Sequence, residues 1–362
     1  MQSINSLLEK DDFSRQDIIE LLTSDKKALP ELLARAYDIK SKYVGNTVYY
    51  RGIIEFSNIC DKNCYYCGIR KDNLEPERYR ISREEILEAA KFALENEYGS
   101  LVLQSGEIKN EAFTTYIESI LRDIKNLSDG KLGITLSLGE QSLETYKRWY
   151  EAGAHRYLLR IETSNSDLYQ QLHPNDHDFK ARFQALKDLK NCGYQVGTGM
   201  MIGLPGQAME DLAADILFMK NQNIDMIGMG PFIPHQNTPL SNSLGEFDAI
   251  RESQLELSLK MIAITRIVLK DVNIAATTAL QALDPIGREK GLEAGANIIM
   301  PNITDTKYRE GYQLYENKPC LDENSDKCKG CLEARITSIG EAIGYNEWGD
   351  SPHYFNRTEK KR

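Results

Sequence analysis

Eight short runs rich in β-branched and aromatic residues alternate with helical stretches along most of this chain. The runs are 48–56, 100–104, 133–138, 156–161, 195–201, 226–229, 273–276 and 297–300. Strands that alternate with helices build a parallel sheet with the helices packed outside it, and eight such units predict an α/β chain folded as a complete (β/α)8 barrel. A helical preamble precedes them. Ser14 with Asp17 reads as a helix start, and Ile18, Leu21 and Leu22 line one face behind it. A second helix is expected over about 29–43. After the first strand, Ser82 with Glu85 forms a capping box, followed by Ile86, Leu87, Ala90 and Leu94 at helical spacing. From about Asn302 the alternation stops. The expected organisation is a preamble over 1–46 packed on the barrel, the barrel over 47–301, and a cysteine-containing C-terminal extension over 302–362. No repeat or low-complexity linker divides the chain.

The first strand leads into the segment that carries the chemistry. Cys60, Cys64 and Cys67 stand at CX3CX2C spacing in a loop at that strand's C-terminal end, where barrels of this kind place their reactive groups. Three thiolates can hold three irons of a [4Fe–4S] cube and leave the fourth iron open to a ligand. That is the requirement for reductive cleavage of S-adenosylmethionine (SAM). Closed electron-transfer clusters and all-sulfur zinc sites normally use four cysteines. Three buried cysteines, or a zinc site completed by a distant histidine, are the alternatives. Tyr66 before the last cysteine and Gly68 after it favour the SAM-cleaving reading. Gln104, Ser105, Glu107, Thr135, Arg160, Glu162, His235, Thr277 and Thr278 also fall at strand ends and are expected to converge on one mouth; singly, each could be a turn or cap residue.

Composition narrows the partners. The chain has 362 residues, 41% hydrophobic and 27% charged, with a net charge of −10. An acidic balance excludes a basic nucleic-acid footprint. The one basic run, Lys360-Lys361-Arg362, reads as a solvated tail. No segment has the apolar length of a membrane span, and the N-terminus lacks a signal-peptide core. Seven cysteines without a secretory signal suggest metal or redox work in a reducing cytoplasm.

The joint pattern of several segments is more specific than the triplet. They are RGIIEFSN at 51–58, LQSGE at 103–107, TLSLGE at 135–140, RYLLRIET at 156–163 and GLPGQ at 203–207, then GPFIPH at 230–235, ATT at 276–278 and ANIIMPN at 296–302. Through them the chain resembles the HydE family of [FeFe]-hydrogenase maturases, in the radical SAM group that includes biotin synthase and methylornithine synthase. The resemblance implies a radical SAM enzyme whose 5′-deoxyadenosyl radical acts in assembly of the hydrogenase H-cluster. Its substrate would be a small organometallic iron–cysteine complex bearing CO and cyanide, received from the maturase HydG. HydF and an electron donor such as ferredoxin or flavodoxin are further implied partners.

The same resemblance assigns residues. Cys60, Cys64 and Cys67 would ligate the catalytic cluster. Tyr66, Gln104, Ser105, Glu107, Glu162, Arg182, Pro231 and Ile233 would bind SAM. Gly106 would permit close backbone approach, and GLPGQ is either a turn or a close ligand approach. Arg51, Thr135, Arg160, Met226, Thr277, Thr278, Met300, Tyr312 and Tyr315 would contact the substrate. Arg51 and Arg160 are expected to meet anions there, since a buried guanidinium is costly without one. Regular strand geometry would put Arg160 and Glu162 on one face, with Arg160 the deeper of the two. Cys320, Cys328 and Cys331, at CX7CX2C, match an accessory [2Fe–2S] or [4Fe–4S] cluster found in part of the family; zinc or free thiols are the alternatives. Cys192 reads as structural, and His155 and His353 as surface or satisfied. Ile161 stands where some of the family carry a polar residue, which alters the pocket wall. Two other functions remain on this reading: a radical SAM enzyme on a small sulfur-containing or amino-acid substrate, and an Fe–S electron-transfer or scaffold protein.

Overall fold

The computed structural model describes residues 4–241, 247–321 and 325–359; of Asn5, 247–249 and 325–329 it describes the backbone alone. The eight expected runs all form strands: β1 (Thr47–Ser57), β2 (Ser100–Ser105), β3 (Gly133–Ser137), β4 (Arg156–Leu158), β5 (Gln195–Thr198), β7 (Met226–Ile227), β9 (Asn273–Ile274) and β10 (Ile298–Ile299). They pair in parallel in the order β10-β1-β2-β3-β4-β5-β7-β9, a curled sheet with helices outside it. At its two ends, Ala275 bridges Ile298 in parallel. Ala276 N donates to Ile298 O and Asn297 N to Ile274 O, both at 2.9 Å. A short parallel pair, β6 (Met201–Ile202) with β8 (Gly230–Pro231), was not expected and lies above the main ladder.

Strand β4 ends earlier than its sequence run. Thr198 inserts its hydroxyl between the chains, donating to Leu159 O at 2.8 Å and accepting from Ile161 N at 3.0 Å. Beyond it Glu162 takes a left-handed φ of +66°. Its amide bonds Gly199 O and its carbonyl accepts from Met201 N, both at 3.0 Å. The alternation expected between Arg160 and Glu162 therefore does not apply.

Both N-terminal helices form where capping chemistry puts them. The capping box of Ser14 and Asp17 opens helix Arg15–Leu22, which buries Ile18, Leu21 and Leu22. Helix Leu29–Tyr43 buries Leu32, Ala36 and Ile39 together with Lys40. These helices pack on helices Met209–Asn221 and Phe247–Leu269. Lys40 Nζ lies 2.7 Å from Glu341 Oε1, with neither side chain exposed, and burial pushes its pKa down to about 8.

After Asn302 the chain covers both ends of the sheet. Residues 312–320 contribute side chains above the strands' C-terminal ends. Later, β11 (Ala342–Ile343) pairs with β1 at Thr47 and Val48, at the opposite end. The segment after it crosses the bottom of the sheet. Ser100 and Arg156 donate to Trp348 O, Arg51 and Asn273 to Gly349 O, and Ser351 N donates to Gln195 Oε1. Asp350 forms an ion pair with the fully buried Arg156 and hydrogen-bonds His155. Burial pushes the His155 pKa down to about 3, so it is neutral; it is half-buried and satisfied, as one of the two sequence readings had it.

Candidate active site

The cysteine loop is held from several sides. Asp61 N donates to Glu107 O at 2.8 Å, Tyr65 N to Leu172 O at 2.9 Å, and Gly68 N to Leu314 O at 3.0 Å. Glycine is required at two contacts: a Cβ on Gly106 would lie 2.3 Å from Ile59 O, and one on Gly68 would lie 2.1 Å from Gln313 O. Two amides, Lys62 N at 3.4 Å and Glu107 N at 3.3 Å, point at Cys60 Sγ. Such donors favour a metal-bound thiolate. Burial pushes the Cys64 thiol up to about 12 and Cys67 well above its ordinary value, and the neighbouring thiols add to this. Three thiols at one mouth that repel one another as thiolates fit a site completed by a positive cluster. Among the described residues no three His, Cys, Asp or Glu side chains stand together as a single-ion site.

These cysteines open onto a cavity of about 340 Å³ at the strands' C-terminal ends. Tyr66, Gln104, Ser105, Glu107, Glu162, Arg182, Pro231 and Ile233 line it. So do Arg160, Thr277, Thr278, Met300, Tyr312, Tyr315 and Cys320. Arg51, Thr135 and Met226 do not; they line a narrower cavity beneath, which shares Leu158, Gly228 and Met300 with the upper one. Arg51 Nη2 donates to Gly349 O at 3.0 Å and its Nη1 faces Met226 Sδ at 3.1 Å, while its Nε is buried with no partner among the described residues. The carbonyl comes from a segment nearly three hundred residues away, which the pattern around Arg51 does not reveal. GLPGQ is a turn, in which Gln207 Oε1 accepts from Gly203 N at 2.7 Å and Leu204 N at 3.1 Å. His235 stands behind the cysteine loop against Gly68, outside the lining of the main cavity.

Ion pairs order the cavity wall. Arg182 Nε bonds Glu140 Oε1 at 2.5 Å, and its Nη1 bonds Arg160 O at 2.8 Å. Lys62 Nζ lies 3.5 Å from Glu107 and 3.6 Å from Glu140. Burial raises the Glu107 pKa, and Glu107 Oε2 accepts from Glu140 N at 2.8 Å. Arg160 faces Glu162 at 3.0 Å, close but not aligned as a hydrogen bond. Arg160 was expected to be the deeper of the two, yet its side chain is 33% exposed against 9% for Glu162. The cause is the early end of β4, which turns both residues into the mouth. Lys318 Nζ bonds both oxygens of Glu55, at 2.6 and 2.7 Å. Ser105 turns its hydroxyl to Gly106 O at 2.7 Å, and Gln104 meets Tyr312 OH at 3.3 Å.

Sequence reasoning missed Lys62, Glu140, Lys318, Glu55 and Arg288 as parts of this wall. Lys62 and Glu140 lay in segments already singled out and could have been found there. His173 and His177 were missed too: His173 Nε2 lies 3.3 Å from Tyr66 OH, and His177 Nε2 accepts from Asn63 N at 3.2 Å. Cys320, on the cavity wall, has a left-handed φ of +64°. Cys331 is exposed on helix Ser325–Ser338, and the Cys328 side chain lies outside the described residues.

A thiol triplet at the mouth of a curled parallel sheet, opening on a charged cavity, defines the class of SAM-cleaving enzymes. In agreement, the profile of the radical SAM superfamily matches residues 54–219. The chain is 45% identical over 349 residues to the [FeFe] hydrogenase maturase subunit HydE of Thermotoga maritima, covering 96% of this chain and 97% of that protein. It therefore belongs to the HydE family of radical SAM enzymes. Among solved structures, methylornithine synthase (PylB) superposes with a TM-score of 0.78 at 25% identity, covering 95% of this chain and 97% of that one. The maturase HydG from Carboxydothermus hydrogenoformans shares the fold with a TM-score of 0.78 at 23% identity, over 94% of this chain and 79% of that one.

Proposed function

We propose that this radical SAM enzyme acts in assembly of the diiron site of the [FeFe]-hydrogenase H-cluster. The observation that carries the reading is the near full-length match to HydE at 45% identity. On this reading Cys60, Cys64 and Cys67 hold a [4Fe–4S] cluster with one open iron. When bound, that cluster supplies the electron that cleaves the SAM sulfonium to methionine and a 5′-deoxyadenosyl radical.

The chain's own residues bind, orient and exclude water. Tyr66, Pro231 and Ile233 form the apolar side for adenine. Glu162 offers carboxylate acceptors to ribose or ammonium groups, and Arg182, fixed by Glu140, stands beside it. Gln104, Ser105 and Glu107 flank the methionine end. Arg160, Thr277, Thr278, Met300, Tyr312 and Tyr315 face the substrate, an iron–cysteine complex, while Arg51, Thr135 and Met226 form the wall beneath it. The enclosure keeps a carbon radical from water.

The eight strands close as a complete (β/α)8 barrel on this proposal, supported by the bridge from Ala275 to Ile298. The preamble over 1–46, the barrel over 47–301 and the extension over 302–362 are its proposed divisions. The spacing of Cys320, Cys328 and Cys331 supports an accessory [2Fe–2S] or [4Fe–4S] cluster. HydG would supply the substrate and HydF receive the product, with a ferredoxin or flavodoxin as reductant. No helix among the described residues is long and apolar enough to cross a membrane, and seven thiols suit the reducing cytoplasm proposed here. The test is activation of an apo-hydrogenase in a defined mixture with HydF and HydG. Activation that depends on this chain supports the assignment; equal activation in its absence overturns it.

A further inference from the structure

Among the described residues, the charge pattern of the cavity wall leaves one cation without a counterpart. Five basic side chains line the cavity: Lys62, Arg160, Arg182, Arg288 and Lys318. Four of them have carboxylate partners: Lys62 with Glu107 and Glu140, Arg160 with Glu162, Arg182 with Glu140, and Lys318 with Glu55. Arg288 forms no ion pair among the described residues. It is only 4% exposed, and its Nε and Nη1 are buried with no hydrogen-bond partner among the described residues. It sits on helix Gly287–Glu293, between β9 and β10, near Tyr315. Its chain neighbours are committed elsewhere, Glu289 to Arg335 and Lys290 to Asp284.

A buried guanidinium with unmet N–H groups carries a large desolvation cost unless an anion meets it. An arginine is also always charged, so it cannot relieve that cost by losing a proton. On the wall of a cavity, such a group is an anion subsite awaiting its ligand. We propose that Arg288 binds the carboxylate of the amino-acid portion of the substrate and so fixes which end of it faces the SAM-binding side. This rests on the reading of the substrate as a cysteine-bearing complex. Arg51 cannot serve this end of the cavity, because it is turned to Gly349 O below. Arg160 already faces Glu162, so an anion there would compete with a carboxylate.

The same chemistry could come from the methionine carboxylate of SAM, and the experiment separates the two. The full chain is reconstituted anaerobically with its cluster and saturated with SAM, so that the open iron is occupied. S-methyl-L-cysteine and S-methyl-L-cysteinamide are then titrated calorimetrically. The wild type is expected to prefer the acid by tenfold or more. In Arg288→Met that preference should fall to about one, and Arg288→Lys should recover part of it, with a SAM Kd that shifts less than the acid's in both. Retention of the preference in Arg288→Met overturns the proposal, as does its absence in the wild type. A loss confined to SAM affinity overturns it in favour of the methionine carboxylate. Should Arg288→Met fail to fold, the Lys variant gives the same comparison. Hydrogenase activation is read separately: acid preference through Arg288 without activation refutes the maturation reading and leaves Arg288 in place, whereas full activation by Arg288→Met refutes the Arg288 role alone.

Discussion

At the bottom of the sheet Arg51 and Arg156 are buried, and most of their donors end on Gly349 O, Trp348 O, Thr135 Oγ1 and Asp350, with Arg51 Nε and Arg156 Nη2 left without a partner among the described residues. At the top Arg288 is as buried as Arg51, each 4% exposed, yet its free N–H groups end on nothing among the described residues. The difference lies in what covers each end. The segment around Trp348–Asp350 supplies fixed carbonyls and a carboxylate below, whereas residues 312–320 roof a cavity of about 340 Å³ above. The two ends thus differ in degree: the chain supplies Arg156 with a carboxylate and Arg51 with a carbonyl, whereas Arg288 has neither among the described residues.

The largest expected effect belongs to the top. Replacing Cys60, Cys64 or Cys67 singly by Ala should reduce 5′-deoxyadenosine formation under dithionite to background, because each supplies one vertex of the cluster. A variant with wild-type rate and iron content would break the assignment of that end.

Next comes the bottom. Asp350→Ala leaves the buried Arg156 without its carboxylate and should destabilise the fold by about 3 kcal/mol, the order seen when one member of a buried pair is removed. Urea unfolding measures it, and a loss below about 0.5 kcal/mol would place this pair with surface ion pairs. The comparison sharpens if Arg160→Met, at the top, costs little stability, since the Arg160 side chain is about a third exposed, but lowers substrate-dependent turnover tenfold or more. Glu162→Gln should instead raise the SAM Kd. If Arg160→Met impaired SAM binding and left turnover at saturating SAM intact, the division of the cavity would be wrong.

A smaller effect comes from Asp215, behind the loop after β4. Its Oδ1 accepts from Ser164 N at 2.6 Å while Oδ2 has no partner among the described residues, and burial raises its pKa to about 7. The folded state therefore holds this proton more tightly than the unfolded chain, whose carboxyl titrates near 3.8. The contribution to stability is fully present below that value and is lost as pH rises through about 7. Asp215→Asn keeps an acceptor for Ser164 and should flatten the dependence of Tm on pH over that window. An unchanged slope would assign the dependence to other groups.

Much of the fold was legible because strand β-propensity, capping boxes and helical spacing are local. The boxes at Ser14 and Ser82 and all eight strands stand where those signals lie. The CX3CX2C triplet was equally local. What was not legible depends on distant partners. The end of β4 is set by Thr198 from the next strand, and that error misplaced Arg160. The bond from Arg51 to Gly349 O was not legible because Gly349 lies near the other end of the chain. Arg288 carried no motif, and only the pairing of its four basic neighbours makes visible that it has no partner among the described residues.

The most direct measurement of the central claim is product analysis of the anaerobically reconstituted, dithionite-reduced full chain incubated with SAM. The account predicts 5′-deoxyadenosine and methionine in equal amounts. Intact SAM after incubation with fully iron-loaded, reduced protein would contradict it.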